Sequence, residues 1–372
     1  MKHITTLYHT WRACQPLNET LQRRMDQQFM FDFNYNSNHM EGNTLTYGQT
    51  KMLLLFGRVE GSALMRDYEE MKAHNVGLEM TKREAVDKRP LSENFIRELN
   101  RTILVDDFYK LSNDRSYRYK IHTGVYKTRP NSVITPSGEM FDYASPEETP
   151  AMMGELVAWY NSVAQSLHPI EQAAVFHYRY IRIHPFEDGN GRIARLLMNY
   201  ILLRNGYPMF VIPTTDRDNY LTVLGQCDKI TGTLPFDGAN ATAEQIKPFV
   251  DYITKFIEKK LTLAIQFAKE EITSFSEIND PDDDPDKNID NQRDNKIKQK
   301  NVPDNDPDNF VKNRQKMIVK FIKMNNKIST TEIAELLKVT SKTIKRDLQK
   351  LKERGIIERK GSEKGGYWEI LS

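Results

Sequence analysis

Residues 184–195 read His-Pro-Phe-Glu-Asp-Gly-Asn-Gly-Arg-Ile-Ala-Arg, and several kinds of chemistry meet there. The imidazole of His184 titrates near neutrality and can take a proton from an incoming hydroxyl. Asp188 is a hard oxygen ligand, suited to a Mg²⁺ that also bridges phosphate oxygens. Gly189 and Gly191, on either side of Asn190, let backbone N–H groups converge without side-chain obstruction, forming an anion nest. Arg192 and Arg195 are three apart, so on a helix they share a face and can clamp anionic oxygens. Singly, these features have ordinary explanations, such as a tight Gly-Asn-Gly turn or a hydrogen-bonded core histidine. Phe186 reads as a packing anchor. The combination within one short stretch is what points to phosphate chemistry.

The elements that position this stretch read as helices. Ala173, Ala174, Val175, Phe176 and Tyr180 predict an apolar helix before it. Leu196, Leu197, Tyr200 and Ile201 continue after it, up to a C-cap signal at Asn205-Gly206. The motif is then a loop feeding a buried helix N-terminus, whose positive dipole end favours phosphate. Helical spacing recurs at Leu17, Leu21, Met25 and Phe29, at Phe95, Leu99 and Ile103, and at Leu156, Trp159, Tyr160 and Val163. The exception is Val133-Ile134-Thr135, Pro136-Ser137-Gly138 and Met140-Phe141, which predict a β-hairpin with a short turn.

The stretch resembles the signature of Fic-domain proteins, HxFx[D/E]GNGRxxR, at every fixed position. The resemblance implies a mainly α Fic-type domain with a small hairpin flap, in which ATP and Mg²⁺ serve to attach AMP to Ser, Thr or Tyr hydroxyls of a protein target. It makes His184 the general base and Asp188 the Mg²⁺ ligand. Gly189, Asn190, Gly191, Arg192, Ile193, Ala194 and Arg195 become the nucleotide-binding run, with Arg195 on the γ-phosphate. Val133, Ile134 and Thr135 become the flap that docks the target by strand pairing. Tyr220, in Arg217-Asp218-Asn219-Tyr220, falls where the family places an aromatic near the base; a surface tyrosine at a helix start is the alternative. Ser37-Asn38-His39-Met40-Glu41-Gly42 resembles the inhibitory motif [S/T]xxxE[G/N]. Ser37 and Glu41 then share a helical face that Gly42 ends, and Glu41 reaches into the nucleotide site to occupy Arg195. Relatives that use UMP, phosphocholine or phosphate donors keep the donor open.

Charge separates the chain into parts. Of a net +2 over 372 residues, Asn313–Ser372 carries 15 Lys and Arg against 7 Asp and Glu, a local +8 that leaves −6 elsewhere. The segment 271–312 is rich in Asp, Asn, Lys and Pro, and reads as a polar linker. Residues 1–100 read as an N-terminal helical region with the inhibitory motif, 101–270 as the catalytic core, and 313–372 as a winged helix-turn-helix. In the last, Ser329-x-x-Glu332 is a capping box, Ser341 caps the third helix, and Gly361–Gly366 forms the wing. Lys342, Lys345, Arg346 and Lys350 face outward, where they can meet DNA phosphates or guanine edges. Protein docking by this module, and a DNA-binding regulator whose Fic body senses nucleotide, are the alternatives. Cys14 and Cys227 make no metal or redox pattern. With no apolar leader or membrane span, the expected setting is cytoplasmic and off the membrane. A homodimer is compatible with the sequence.

Overall fold

The structure is a computed structural model that describes residues 2–58, 61–111, 117–134, 140–162 and 166–278, and 314–371 apart from 316–317, 320, 323–325, 327, 338–339 and 362–365. The chain divides into two compact units, Met1–Asp284 and Pro285–Ser372.

The first unit is built of α1 (Lys2–Ala13), α2 (Glu19–His39), α3 (Tyr47–Phe56), α4 (Met65–Asp87), α5 (Glu93–Leu104), α6 (Thr149–Ser162), α7 (Pro169–Ile183), α8 (Asn190–Arg204), α9 (Arg217–Thr231), α10 (Pro235–Ala239) and α11 (Lys247–Ile278). The start of α7 is set by His168, whose ring accepts from Ile170 N, by Pro169, and by Glu171, which accepts from His168 N. Around α8, Ile193, Leu196, Leu197, Tyr200, Ile201 and Leu202 are all fully buried. A helix buried on nearly every side belongs at a domain's centre, and Arg192, Arg195 and Asn199 make its one polar stripe. α7 and α8 therefore form the axis of one core, which α4, α5, α6 and α11 surround.

Two antiparallel ribbons lie before α6. The hairpin predicted at 133–141 is present, with β3 (Val133–Ile134) paired to β4 (Met140–Phe141); Thr135 and the side chain of Ile134 lie outside the described residues. A second ribbon, β1 (Phe108–Leu111) with β2 (Arg118–Ile121), pairs Phe108 with Ile121. Periodicity did not announce it, because its burial follows no clean alternation. α11 continues past residue 270 to Ile278, entering the segment read as linker. Ile272, Phe275 and Ile278 keep a helical three-residue spacing there; the linker from 279 to 313 lies outside the described residues. Among the described residues, no helix is long and apolar enough to cross a membrane.

In the second unit, 314–315, 318–319 and 321–322 are helical and are followed by α12 (Thr330–Leu337), α13 (Ser341–Glu353) and the antiparallel pair β5 (Ile357–Lys360) and β6 (Tyr367–Ile370). The Ser329/Glu332 capping box forms in both directions. The cap of α13 is Thr340 rather than Ser341: its hydroxyl accepts from Thr343 N, so the helix begins one residue earlier than the sequence suggested. Trp368 anchors the β-pair, its indole donating to Ile328 O at 3.2 Å.

Candidate active site

His184 sits where α7 ends, in a left-handed conformation (φ 51°, ψ 59°) that a non-glycine residue adopts at a cost of about 1–2 kcal/mol. Its Nδ1 lies 3.3 Å from Ile181 O, so Nδ1 carries the hydrogen and Nε2 is the basic nitrogen. Tyr143 stacks on the ring at 4.1 Å. The histidine does not titrate near neutrality, as its residue type alone suggested. Burial first, then the charge of Lys127, push it down to about 4, against weaker opposing effects of Ile181 O, Glu41 and Asp188. It is a neutral imidazole at pH 7, as a base must be.

Phe186, 1% exposed, is the packing anchor expected of it. Asn190 staples the same loop, accepting from Phe186 N at 3.0 Å and donating to Phe186 O at 2.6 Å. With only 3% of its surface exposed, its side chain holds the loop rather than a nucleotide. The side chains of Ile193 and Ala194 are likewise fully buried in the core, and only their backbone belongs to the site. The nucleotide-binding reading of Asn190, Ile193 and Ala194 then rests on their backbone groups.

α8 begins at Gly189, whose φ of +83° suits glycine, and no side chain caps it. The first-turn N–H groups therefore remain available to an anion. At Gly191 a Cβ would lie 2.3 Å from Glu41 Oε1, so any larger residue would have to displace that side chain. What approaches is itself a carboxylate, resting against the nest.

Arg195 (4% exposed) is gripped from the end of α2. Its Nε donates to Ser37 Oγ at 3.1 Å, and Nη2 donates to Ser37 O and to Glu41 Oε1, both at 2.8 Å. The predicted meeting of Ser37, Glu41 and Arg195 occurs by different geometry. α2 stops at His39, and Glu41 follows in a turn that Gly42 completes at φ 95°. Burial alone would raise Glu41, but the charge and hydrogen bond of Arg195, with Arg192, lower it on balance. Its side chain is 38% exposed, so it lies at the mouth of the cleft.

Asp188 accepts from Gly189 N at 2.7 Å and pairs with Lys110 of β1 at 3.1 Å and Arg192 at 3.4 Å. Burial opposes its ionisation, yet these cations hold it below the usual carboxylate range. Among the described residues no group of three or more His, Cys, Asp and Glu could hold a metal. One ionised carboxylate beside a phosphate nest fits Mg²⁺, which typically takes one or two carboxylates plus substrate oxygens and water. Arg192 also meets Glu70 at 3.4 Å, and Arg66 pairs with that same carboxylate.

Tyr220 is a core residue. It is 4% exposed, its hydroxyl is 2.8 Å from His177 Nε2, and His177, Phe249 and Tyr252 surround its ring. The enclosure excludes the surface-tyrosine alternative, while the hydrogen bond and charge of Arg195 reach the same hydroxyl, so Tyr220 stands behind the site. Lys110, Glu70, Lys127, Asn131 and Tyr143 were missed. They come from elements 40 to 120 residues away in sequence, and only the 66/70 charge pair had a local signal. In the second unit, Lys342, Lys345, Arg346 and Lys350 are all exposed on α13, while Ile344, Asp347, Leu348 and Leu351 are buried.

Comparison with known proteins agrees with this geometry. The Fic/DOC family profile matches residues 90–202, and a DeoR-like helix-turn-helix profile matches 314–366. A crystal structure of a Fic-domain-containing signalling protein from Bacteroides thetaiotaomicron is similar at 58% identity and TM-score 0.68, over 72% of this chain and 97% of that one. Protein adenylyltransferase fic-1 of Caenorhabditis elegans is 30% identical over 248 residues, covering 66% of this chain and 43% of the relative. Protein adenylyltransferase Fic of Drosophila willistoni is 31% identical over 244 residues, covering 65% and 43%. The chain thus spans less than half the length of these curated relatives. With the signature residues assembled around the N-terminus of α8 and a near-full-length structural relative sharing the fold, the chain belongs to the Fic/DOC family.

Proposed function

We propose that the first unit is a protein adenylyltransferase that transfers AMP from ATP to a protein hydroxyl and is restrained by Glu41. The observation that carries this is the uncapped start of α8, flanked by a neutral His184, an ionised Asp188 and two buried arginines. The names of the curated relatives support the same chemistry.

In this reading the triphosphate lies over Gly189–Arg192, its oxygens facing the first-turn N–H groups, and Arg195 clamps the γ-phosphate. Nε2 of His184 takes the proton of a target Ser, Thr or Tyr hydroxyl as that oxygen bonds to the α-phosphorus. The bond to the bridging oxygen breaks and pyrophosphate leaves. Mg²⁺ held by Asp188 would supply neutralisation of charge on the α- and β-phosphates. Backbone N–H groups of the nest stabilise the charge that develops there. The flap, β3–β4, offers strand edges for a target segment; Arg182 lies under its Phe141 at 4.9 Å and steadies it. Glu41, hydrogen-bonded to Arg195 and pressed against Gly191, occupies the place of a phosphate, so ATP binds without its α-phosphate in line.

The test is incubation with α-labelled ATP and Mg²⁺, comparing wild type with Glu41→Gly. Label on protein that rises by roughly tenfold or more in the variant is the expected result, since near-attack geometry is worth several kcal/mol. Equal labelling sinks the restraint. No labelling with ATP, but labelling with another nucleotide or phosphorylated donor, changes the donor.

We propose that the second unit binds DNA through α13, because its DeoR-like match coincides with Lys342, Lys345, Arg346 and Lys350, all exposed on one helix.

A further inference from the structure

Four consecutive carbonyls of the catalytic loop, Ile183 to Phe186, accept hydrogen bonds from one short segment, residues 127–131. Lys127 Nζ donates to Ile183 O at 3.0 Å, and Lys127 N to Pro185 O at 2.8 Å. Asn131 Nδ2 donates to His184 O at 3.1 Å and to Phe186 O at 3.0 Å. Lys127 Nζ also donates to Asn131 Oδ1 at 2.9 Å, so the two side chains act as one clamp.

Lys127 is unusual for a lysine in being 3% exposed, with a carbonyl and an amide oxygen as its side-chain hydrogen-bond partners. A cation so placed is costly, and an apolar side chain could fill the space if packing were its only role. Burial pushes its ammonium down to about 7, while Glu148 pulls the other way. After burial, its charge is the largest influence lowering His184. The other charged groups acting on that ring are Glu41 and Asp188, and Tyr143 covers one face.

We propose that Lys127, together with Asn131, is a positioning residue for His184: the pair holds the carbonyls that fix the base in its left-handed turn. Asn131 provides geometry alone, and Lys127 provides geometry and charge. The role rests on the reading of His184 as the base for AMP transfer.

Two measurements on the full chain test it. In the Glu41→Gly background, Lys127→Met is expected to lower kcat by roughly 10–100-fold, the usual scale for a group that orients a reacting one. ATP affinity by equilibrium binding should stay within about twofold, since the clamp does not touch the nest. Lys127→Arg should recover most of kcat, and Asn131→Ala should lose kcat like Lys127→Met. The second measurement is the NMR titration of the His184 ring, assigned by its loss in His184→Ala. Lys127→Met should raise its pKa by roughly one unit, and Asn131→Ala should leave it unmoved. An unchanged kcat and an unchanged titration in Lys127→Met overturn the proposal. So does a kcat loss that only tracks a lowered melting temperature and weaker ATP binding. If Glu41→Gly transfers no AMP at all, the adenylyltransferase reading fails, and the ring titration alone decides whether Lys127 governs His184.

Discussion

At the scale of the residue, the chemistry depends on protonation states that burial sets. His184→Ala should reduce AMP transfer by about 10²–10⁴-fold, the worth of a general base. Binding of ATP should persist, because the nest and both arginines remain; comparable transfer rates in wild type and variant would remove the assignment. Arg195→Ala should stay inactive even when combined with Glu41→Gly, since removing the restraint does not restore the clamp. Buried histidines also tie stability to pH. His177 is fully buried, and burial lowers it to about 3, while His184 lies at about 4. An unfolded chain protonates these rings near pH 6.5, before the folded chain does, so the unfolded state binds more protons between those values. The depressed pKa values therefore make stability highest above about pH 6.5 and erode it as pH falls toward 4 and 3, by several kcal/mol in total. Urea midpoints should drop between pH 7 and pH 5; equal midpoints would show that these rings are not held neutral.

At the scale of the element, the proposed phosphate site is the start of α8, which its neighbours keep in place. Gly191→Ala would put a methyl where Glu41 Oε1 now lies 2.3 Å away, displacing that flexible carboxylate but also filling the phosphate's approach. In the Glu41→Gly background, Gly191→Ala should therefore weaken ATP binding by roughly tenfold, the worth of about one lost hydrogen bond. Undiminished affinity, measured by calorimetry, would move the phosphates away from this turn. Arg182 of α7, 1% exposed, pairs with Asp228 at 3.0 Å and donates to Gly232 O and Leu234 O. Arg182→Ala leaves a carboxylate and two carbonyls without it and should cost about 3–5 kcal/mol in chemical denaturation. The helices were legible because α7 and α8 carry long apolar runs at helical spacing and clean end signals. The β1–β2 ribbon was not, and with it Lys110 went unseen, since its strands are short and mostly exposed.

At the scale of the whole molecule, a basic second unit is joined to an acidic first one. If α13 meets DNA phosphates through Lys342, Lys345, Arg346 and Lys350, affinity of the full chain should fall steeply with salt. Replacing Lys345 and Arg346 by alanine should reduce the log–log slope by about two units, close to 0.9 per lost contact. Salt-insensitive binding, or none in electrophoretic shifts at low salt, would favour a protein-docking role for the winged helix. The two units then answer separate questions, so loss of DNA binding should leave labelling by α-labelled ATP unaltered in Glu41→Gly.

What the sequence determined by itself was local: a histidine, a carboxylate, two glycines and two arginines at the start of a helix, a hairpin upstream, and a basic module at the end. Those signals survive because capping, glycine geometry and helical spacing act within a few residues of one another. Tertiary structure decided everything that depends on which distant groups share the cleft. Glu41 reaches Arg195 from a turn rather than from a helical face, and Ser37 joins it through both hydroxyl and carbonyl. Tyr220 is enclosed by the core, where its hydroxyl meets His177 and feels the charge of Arg195. His184 is a neutral imidazole, its pKa lowered to about 4, because burial and the charge of Lys127, 57 positions earlier, both disfavour its charged form. Desolvation and charge proximity are properties of packing in three dimensions, and no spacing along the chain encodes them.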